Sequence, residues 1–234
     1  MTQSGFSALL LACGLVSQLG LACAPTETGN PPLGSVQLGL TAFSTSPDVA
    51  AVKSAQGGLV VDQLRVNAVA LSLLPCASSS PALDAPADNY DVIASGDANE
   101  LRGDVRLCGA RLELGPSDAP PGAAIFVHGL RTDGTPFEVV STAARTLELR
   151  APPGASFGAH PLLLAFDIGV WFSTIDVHGA HAGPDGVARL DATLNPTLLA
   201  TFDAQTSLSV ALYADENENG KLDDTELTPV ASAP

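Results

Sequence analysis

The sequence predicts a mainly β protein: an antiparallel β-sandwich with one or two short helices. Short apolar runs recur along residues 35–214, many of them alternating with polar residues at the two-residue period of a strand. Loops rich in Pro, Gly, Asp and Ser separate these runs at the spacing typical of an all-β domain. Asp133-Gly134 lies between two of the runs and indicates a β-hairpin, because this pair tolerates the positive φ of a type I′ turn.

The predicted strands follow one another at short intervals. They occupy residues 36–40, 65–73, 105–108, 111–114, 125–130, 137–140, 146–149, 162–166 and 207–213. In the last of these, Leu208, Val210 and Leu212 fall on one face, as expected of a half-buried strand. Residues 77–100 contain a Ser triplet with several Asp and Pro residues, and are predicted to form a long loop.

Two short helices are predicted to interrupt the sheet. Residues 168–175 contain aromatic side chains that would pack across one sheet. Asn195-Pro196 predicts the start of a helix over 197–204, because Asn is a favoured N-cap and Pro is favoured at the first helical position. The layout, most clearly over residues 125–166, is loosely similar to bacterial lipoprotein domains of transthyretin-like or immunoglobulin-like form. That similarity concerns the fold and implies no function.

The twelve residues 215–226, Asp-Glu-Asn-Glu-Asn-Gly-Lys-Leu-Asp-Asp-Thr-Glu, form the most specific motif of the chain. They match every constrained position of the pattern D-x-[DN]-x-[DN]-G-x5-E. A hard cation such as Ca²⁺ takes oxygen ligands in this order, with a glycine at position 6 for the sharp turn and a glutamate closing the shell from position 12. The predicted ligands are the side chains of Asp215, Asn217, Asn219, Asp223 and Glu226 and the main-chain carbonyl of Lys221.

The motif resembles the calcium loop of EF-hand proteins, but its flanks differ. A run with the period of a strand precedes it, and Pro229 ends any exit helix within a few residues. The resemblance therefore implies a structural Ca²⁺ site at the end of a strand, as in calcium-stabilised bacterial surface domains. Extracellular modules bind Ca²⁺ with a Kd of about 10⁻⁴–10⁻³ M. An acidic, solvated turn without an ion is the alternative.

Residues 1–22 predict an export signal. The stretch 6–22 carries no charge and is rich in Leu, but its Gly, Ser and Gln residues make a poor permanent membrane span. The Leu-Ala-Cys ending at Cys23 resembles the tail of a bacterial lipobox. The Thr-Glu-Thr-Gly-Asn-Pro run that follows it resembles the mature start of a group of myxobacterial lipoproteins. The resemblance implies lipidation of Cys23, with simple cleavage and secretion as the alternative.

These assignments divide the chain into five parts. They are a signal peptide (1–22), a flexible tether (23–34), a sandwich domain (35–214), the calcium loop (215–226) and a tail (227–234). A lipid on Cys23 would make the membrane a partner of the protein and place the domain at the outer membrane or cell surface.

Cysteine usage fits an exported protein. Cys13 lies in the predicted signal and Cys23 would carry the lipid, which leaves Cys76 and Cys108 as a pair in an oxidising compartment. We predict a disulfide between them that closes a loop of about 32 residues and contributes roughly 3–4 kcal/mol to stability. Neither cysteine has the neighbouring His or Cys that a catalytic or metal-binding thiol pair would favour.

The chain is strongly acidic, with a formal net charge of −15. About a third of this charge lies in residues 215–226, and the ten Lys and Arg residues are dispersed. Nucleic-acid binding is disfavoured, because phosphate contacts need clustered positive charge. An acidic balance suits solubility and cation binding.

A secreted metal-dependent hydrolase is the second hypothesis. His178 and His181 have the only metal-like histidine spacing, and His128 and His160 are further candidate ligands. The surrounding Gly and Pro residues predict a loop, which favours ordinary polar histidines. H-E-x-x-H does not occur, and no glycine-rich phosphate loop is present. We therefore predict that the chain is not an enzyme.

A third hypothesis is an adhesion module that binds glycan or protein through the loop at 77–100. Arg102-Gly103-Asp104 also matches a tripeptide of integrin ligands, but matches of three residues arise often by chance. The sequence as a whole favours the first hypothesis: a cell-envelope-anchored, calcium-stabilised β-sandwich lipoprotein with a structural or binding role.

Overall fold

The computed structural model describes residues 34–234, apart from positions 47, 52–57, 95–97, 104–105 and 159. Within these ranges the protein is mainly β, which confirms the predicted fold class at this level. The predicted signal peptide, the predicted lipidation site Cys23 and the predicted tether up to residue 33 lie outside the described residues.

The described chain contains fourteen strands and two short helices. The strands are β1 (Gly34–Phe43), β2 (Val49–Ala51), β3 (Leu59–Pro75), β4 (Leu83–Ala85), β5 (Asp88–Asp91), β6 (Asn99–Gly103), β7 (Leu107–Leu114), β8 (Ile125–Leu130), β9 (Pro136–Ser141), β10 (Arg145–Arg150), β11 (Leu162–Asp167), β12 (Ala188–Leu190), β13 (Val210–Ala214) and β14 (Ala231–Ser232). The helices are α1 (Ile168–Phe172) and α2 (Pro196–Thr206).

The strands form a curled, mixed sheet. Eleven of them follow the order β12-β9-β8-β3-β7-β10-β14-β13-β11-β1-β6, and β2, β4 and β5 pair with β3 beside this path. Most pairs are antiparallel, but β1 with β11, β9 with β12 and β2 with β3 are parallel. The sheet is therefore mixed, whereas the sequence predicts a purely antiparallel one. Apolar alternation marks a strand but says nothing about the direction of its neighbour.

β3, with seventeen residues, is the central strand of the sheet. Its first part, Val60–Val66, pairs with β8, and its second part, Ala68–Pro75, pairs with β7. Register shifts near Val61 and Ala68 mark irregularities of the bulge type, which bend a strand and increase its twist. One long strand can in this way pair with several neighbours in a curled sheet.

Aromatic side chains of the two helices fill the core against the sheet. Trp171 of α1 packs edge-to-face between Phe166 of β11 and Phe202 of α2, with ring centroids 5.9 and 5.3 Å apart. All three side chains are fully buried. Phe172 also contacts Phe137 of β9, at 5.6 Å between centroids. α1 therefore packs across the sheet, as its aromatic content predicts.

The helix boundaries differ slightly from the prediction. α1 is already complete at Phe172, and α2 extends to Thr206. Asn195 is the N-cap residue of α2, but its side chain makes no capping bond. Its Nδ2 instead donates to the carbonyls of Arg189 and His181, at 2.6 and 2.9 Å. The predicted Asn-Pro start is correct in position, but the Asn side chain joins neighbouring loops instead of capping the helix.

The predicted hairpin around Asp133-Gly134 is confirmed, because β8 and β9 form an antiparallel pair. The predicted type I′ turn is wrong. Gly134 has a φ of 80°, but Asp133 is not among the described residues of positive φ. Five residues separate the two strands, so Asp133-Gly134 does not close the hairpin alone. The Asp133 carboxylate accepts the N–H of Thr135 at 2.9 Å and shapes the turn.

The prediction of a long loop over 77–100 is wrong in part. β4, β5 and the first residues of β6 lie in this range, and β4 and β5 pair with β3. Their sequences are too short and too polar to show alternation, and their position depends on main-chain pairing with β3. Asp104 of the Arg102-Gly103-Asp104 tripeptide lies outside the described residues.

The predicted disulfide is confirmed. Cys76 and Cys108 are joined by an S–S bond of 2.04 Å across a sequence separation of 32 residues. Cys76 directly follows β3, and its main-chain N–H donates to the Arg106 carbonyl at 2.9 Å. The bridge therefore fixes the end of β3 against β7.

Replacing both cysteines by alanine should lower the free energy of unfolding by roughly 3–4 kcal/mol, because the unfolded chain regains the freedom of the closed loop. Urea titration monitored by circular dichroism would measure the change. The unmodified protein under a reducing agent should show the same loss. A loss below about 1 kcal/mol in both samples would contradict the expected role of the disulfide.

Candidate calcium-binding loop

The predicted calcium loop connects β13 to β14, which are antiparallel neighbours in the sheet. Asp215 directly follows β13, and its main-chain N–H donates to the carbonyl of Pro161 just before β11, at 2.8 Å. The prediction that a strand leads into the loop is confirmed, although the strand begins at Val210 and not at residue 207. The loop therefore starts from a fixed point on the sheet.

Asp215, at loop position 1, is 3% exposed. Its Oδ1 accepts the N–H of Asn219 at 3.1 Å, and its Oδ2 accepts the N–H of Gly220 at 2.8 Å. These bonds draw positions 5 and 6 of the loop back over position 1. Gly220 has a φ of 71°, in the left-handed region that favours glycine. The sharp turn predicted at position 6 is therefore present.

Glu226, at loop position 12, is 6% exposed and closes the loop from its other end. Its Oε1 accepts the main-chain N–H groups of Glu216 and Asn217, at 2.8 and 3.3 Å. Its Oε2 accepts the N–H of Asp223 at 3.1 Å. One carboxylate thus links the start, the middle and the end of the loop.

The remaining side chains of the predicted set converge on Asp223. The Nδ2 atoms of Asn217 and Asn219 donate to its Oδ2, at 2.6 and 2.9 Å. The Oδ1 of Asn217 accepts the N–H of Asn219, and the Oδ1 of Asn219 accepts the N–H of Lys221. The structure therefore brings all six predicted ligand residues into one hydrogen-bonded network.

The described ion pairs provide no cationic side chain that balances the negative charge of the loop. None of those pairs includes Asp215, Asp223 or Glu226. A buried carboxylate is as a rule paired with an opposite charge or coordinated to a metal. Carboxylate, amide and main-chain oxygens are the ligands that Ca²⁺ prefers. The residues present therefore fit a calcium ion in number and in chemistry.

Among the described residues, no group of three or more His, Cys, Asp and Glu side chains is positioned to hold a metal ion. The three loop carboxylates, those of Asp215, Asp223 and Glu226, therefore do not form such a group in this structure, and the calcium site stays a prediction.

The loop is also anchored by an apolar contact with one face of the sheet. Leu222, at loop position 8, packs with Phe43 against a small buried cluster separate from the main core. The cluster consists of Ala165, Ala211 and Tyr213. Burial raises the pKa of Tyr213, and the Asp167 carboxylate adds to this effect, so the hydroxyl stays protonated at neutral pH.

Closing the connection between β13 and β14 is unfavourable without help from the loop itself. Sixteen residues, 215–230, separate the two strands. The length-dependent part of the closure entropy is about 2.5 kcal/mol for such a loop. β14 contains two residues, and each backbone hydrogen bond contributes a net of about 0.5–1.5 kcal/mol. The bonds within the loop therefore help to hold β14 in the sheet, together with those that β14 makes itself.

Sequence reasoning missed β14, because residues 227–234 were predicted to be a tail. Ala231 is 1% exposed and belongs to the main core, and the Val230 N–H donates to the Leu212 carbonyl at 2.7 Å. The only sequence signal was a short run of small and apolar residues after Pro229. Such a run is too short to show a period.

Three of the histidines proposed for a hydrolase site, His128, His178 and His181, have described hydrogen-bond contacts. His128 lies on β8, with Nδ1 2.6 Å from Oδ1 of Asp62 on β3. His178 contacts the Thr132 hydroxyl through Nε2 at 3.4 Å. His181 is held through its main chain, whose N–H donates to the Asn195 side chain. Each described contact of these histidines is with a polar group and not with another histidine.

Comparison with known proteins gives no family for this chain: a scan against protein-family models and searches of curated proteins and of solved structures found no match. Any function is therefore inferred from the loop residues and their geometry. No helix within the described ranges is long and apolar enough to cross a membrane.

Proposed function

We propose that this chain is a cell-envelope-anchored, calcium-stabilised lipoprotein whose β domain has a structural or binding role. One observation carries the proposal: the carboxylates at positions 1 and 12 of a complete calcium motif are both buried and both fold the loop around themselves. An arrangement of the curled sheet as the two layers of a sandwich belongs to the same proposal.

The loop would hold the ion through oxygens of the residues that its hydrogen-bonded network joins. These ligands are the side chains of Asp215, Asn217, Asn219, Asp223 and Glu226 and the carbonyl of Lys221. A bound divalent cation supplies positive charge that offsets the repulsion between the carboxylates. In extracellular modules the Kd of such sites is about 10⁻⁴–10⁻³ M. At about 1 mM Ca²⁺ and a Kd of about 0.1 mM, binding stabilises the fold by about 1.4 kcal/mol.

The disulfide supports a position outside the cytoplasm. Bonds such as Cys76–Cys108 persist in oxidising compartments, where calcium is also present at millimolar concentration. Lipidation of Cys23 would then hold the domain at the outer membrane or cell surface. In this proposal the protein is not an enzyme, and its further partner is a protein or a glycan. The second and third hypotheses gain no specific support from the described contacts.

Calcium titration of the full chain by calorimetry tests the loop. We expect one site in the range of about 10⁻⁴–10⁻³ M and, at about 1 mM Ca²⁺, a rise of about 3–6 °C in Tm. Replacing the two buried acids (Asp215→Asn with Glu226→Gln) should abolish both effects. The control, Glu216→Gln with Glu218→Gln, removes the same charge from exposed positions of the loop and should retain the site. Equal heats from the two variants would contradict the proposal.

Metabolic labelling with a radioactive fatty acid tests the anchor. The unmodified chain should take up label and sediment with membranes, because two or more acyl chains give stable anchoring. Cys23→Ser should lose both properties, whereas Cys13→Ser, in the same leader, should keep them. Label that persists in the Cys23→Ser variant, or an unmodified chain without label, would exclude lipidation at this residue.

A further inference from the structure

The calcium loop leads directly into the strand that joins two parts of the sheet. β14 pairs on one side with β13, where Leu212 faces Ala231, and on the other side with β10, where Arg150 faces Ser232. In the order of strands, six lie on the β10 side of β14 and four lie on the β13 side. β14 pairs with both β10 and β13 and so joins them in the sheet. We call these three strands the seam.

β14 has few contacts of its own to keep it in this seam. It consists of two residues, of which Ala231 is buried in the main core and Ser232 is exposed. The Val230 N–H donates to the Leu212 carbonyl just before the strand begins. The loop is a further connection of β14 to the sheet, beside its pairing with β10 and β13. Glu226, which closes the loop with both carboxylate oxygens, lies only five residues before Ala231.

We propose that occupancy of the loop by calcium controls the docking of β14, so that residues 215–226 and β14 act together as a calcium-dependent clasp of the seam. The inference rests on the proposed calcium site and adds what that site regulates. An ion bound in the loop fixes the position of Glu226. The short segment that follows Glu226 is then positioned to pair between β10 and β13. A loop without an ion leaves two buried carboxylates unbalanced and favours opening.

The coupling is reciprocal. We assume that the ion binds when β14 is docked and not when it is released. The ion then lowers the ratio of molecules with β14 released to molecules with β14 docked by the factor 1 + [Ca²⁺]/Kd. At about 1 mM Ca²⁺ and a Kd of about 0.1 mM this factor is roughly ten. By the same linkage, weakening the docking of β14 must weaken calcium binding.

Hydrogen exchange of the full chain, followed by mass spectrometry with calcium and with a chelator, tests the clasp. Exchange in the peptide 227–234 should slow about tenfold at about 1 mM Ca²⁺, because its amides exchange through opening of the seam. Exchange in β8, residues 125–130, should change far less, because that strand is remote from the seam in the strand order. Calorimetry on the same samples reports calcium binding separately.

A pair of variants tests the reverse coupling. Ala231→Asp places a charge at the buried position of β14 and should weaken calcium binding severalfold, whereas Ser232→Asp adds the same charge at the exposed neighbour and should leave the Kd unchanged. Retained slow exchange in 125–130 identifies a folded Ala231→Asp variant. Calcium binding without slower exchange in 227–234 overturns the clasp and leaves the calcium site standing. No binding heat from the unmodified protein overturns both.

Discussion

The carboxylates of Asp215 and Glu226 accept five main-chain N–H groups between them and so define the path of the chain from β13 to β14. Both are buried, and the described ion pairs give neither of them a cationic partner. The loop leads into β14, which pairs with β10 on one side and with β13 on the other. As proposed above, the same arrangement requires a cation for its electrostatic balance.

Two features of different chemistry constrain the curled sheet: a disulfide and the loop 215–226. The Cys76–Cys108 bond fixes β3 against β7 and is kept by an oxidising environment. The loop fixes β13 and β14 and, as proposed, is kept by calcium. Neither includes the aromatic residues Trp171 and Phe202 that pack against each other in the core. Both conditions hold outside the cytoplasm, which links the stability of the domain to its proposed compartment.

The parts of the fold that could be predicted from sequence are those with a local signal. β8, predicted at 125–130, alternates strongly, and the calcium motif specifies its own turn at Gly220. β4, β5 and β14 were missed because short polar or small residues enter strands only when a neighbour such as β3 or β13 pairs with them. The side chain of Asn195 was misassigned because its Oδ1, the atom that would cap the helix, accepts the N–H of His181 at 3.0 Å. Parallel pairing of β1 with β11 likewise has no local signal.

Crystals of the full chain grown with calcium, or with a lanthanide as its substitute, test the central claim most directly through anomalous scattering. We predict one strong peak inside the loop, with oxygens of Asp215, Asn219 and Glu226 among its ligands at roughly the 2.3–2.6 Å typical of Ca²⁺. The Asn217 and Asn219 amides would then turn oxygen atoms toward the peak. A loop without a peak at millimolar calcium, or a peak at His178 instead, would contradict a calcium-stabilised loop.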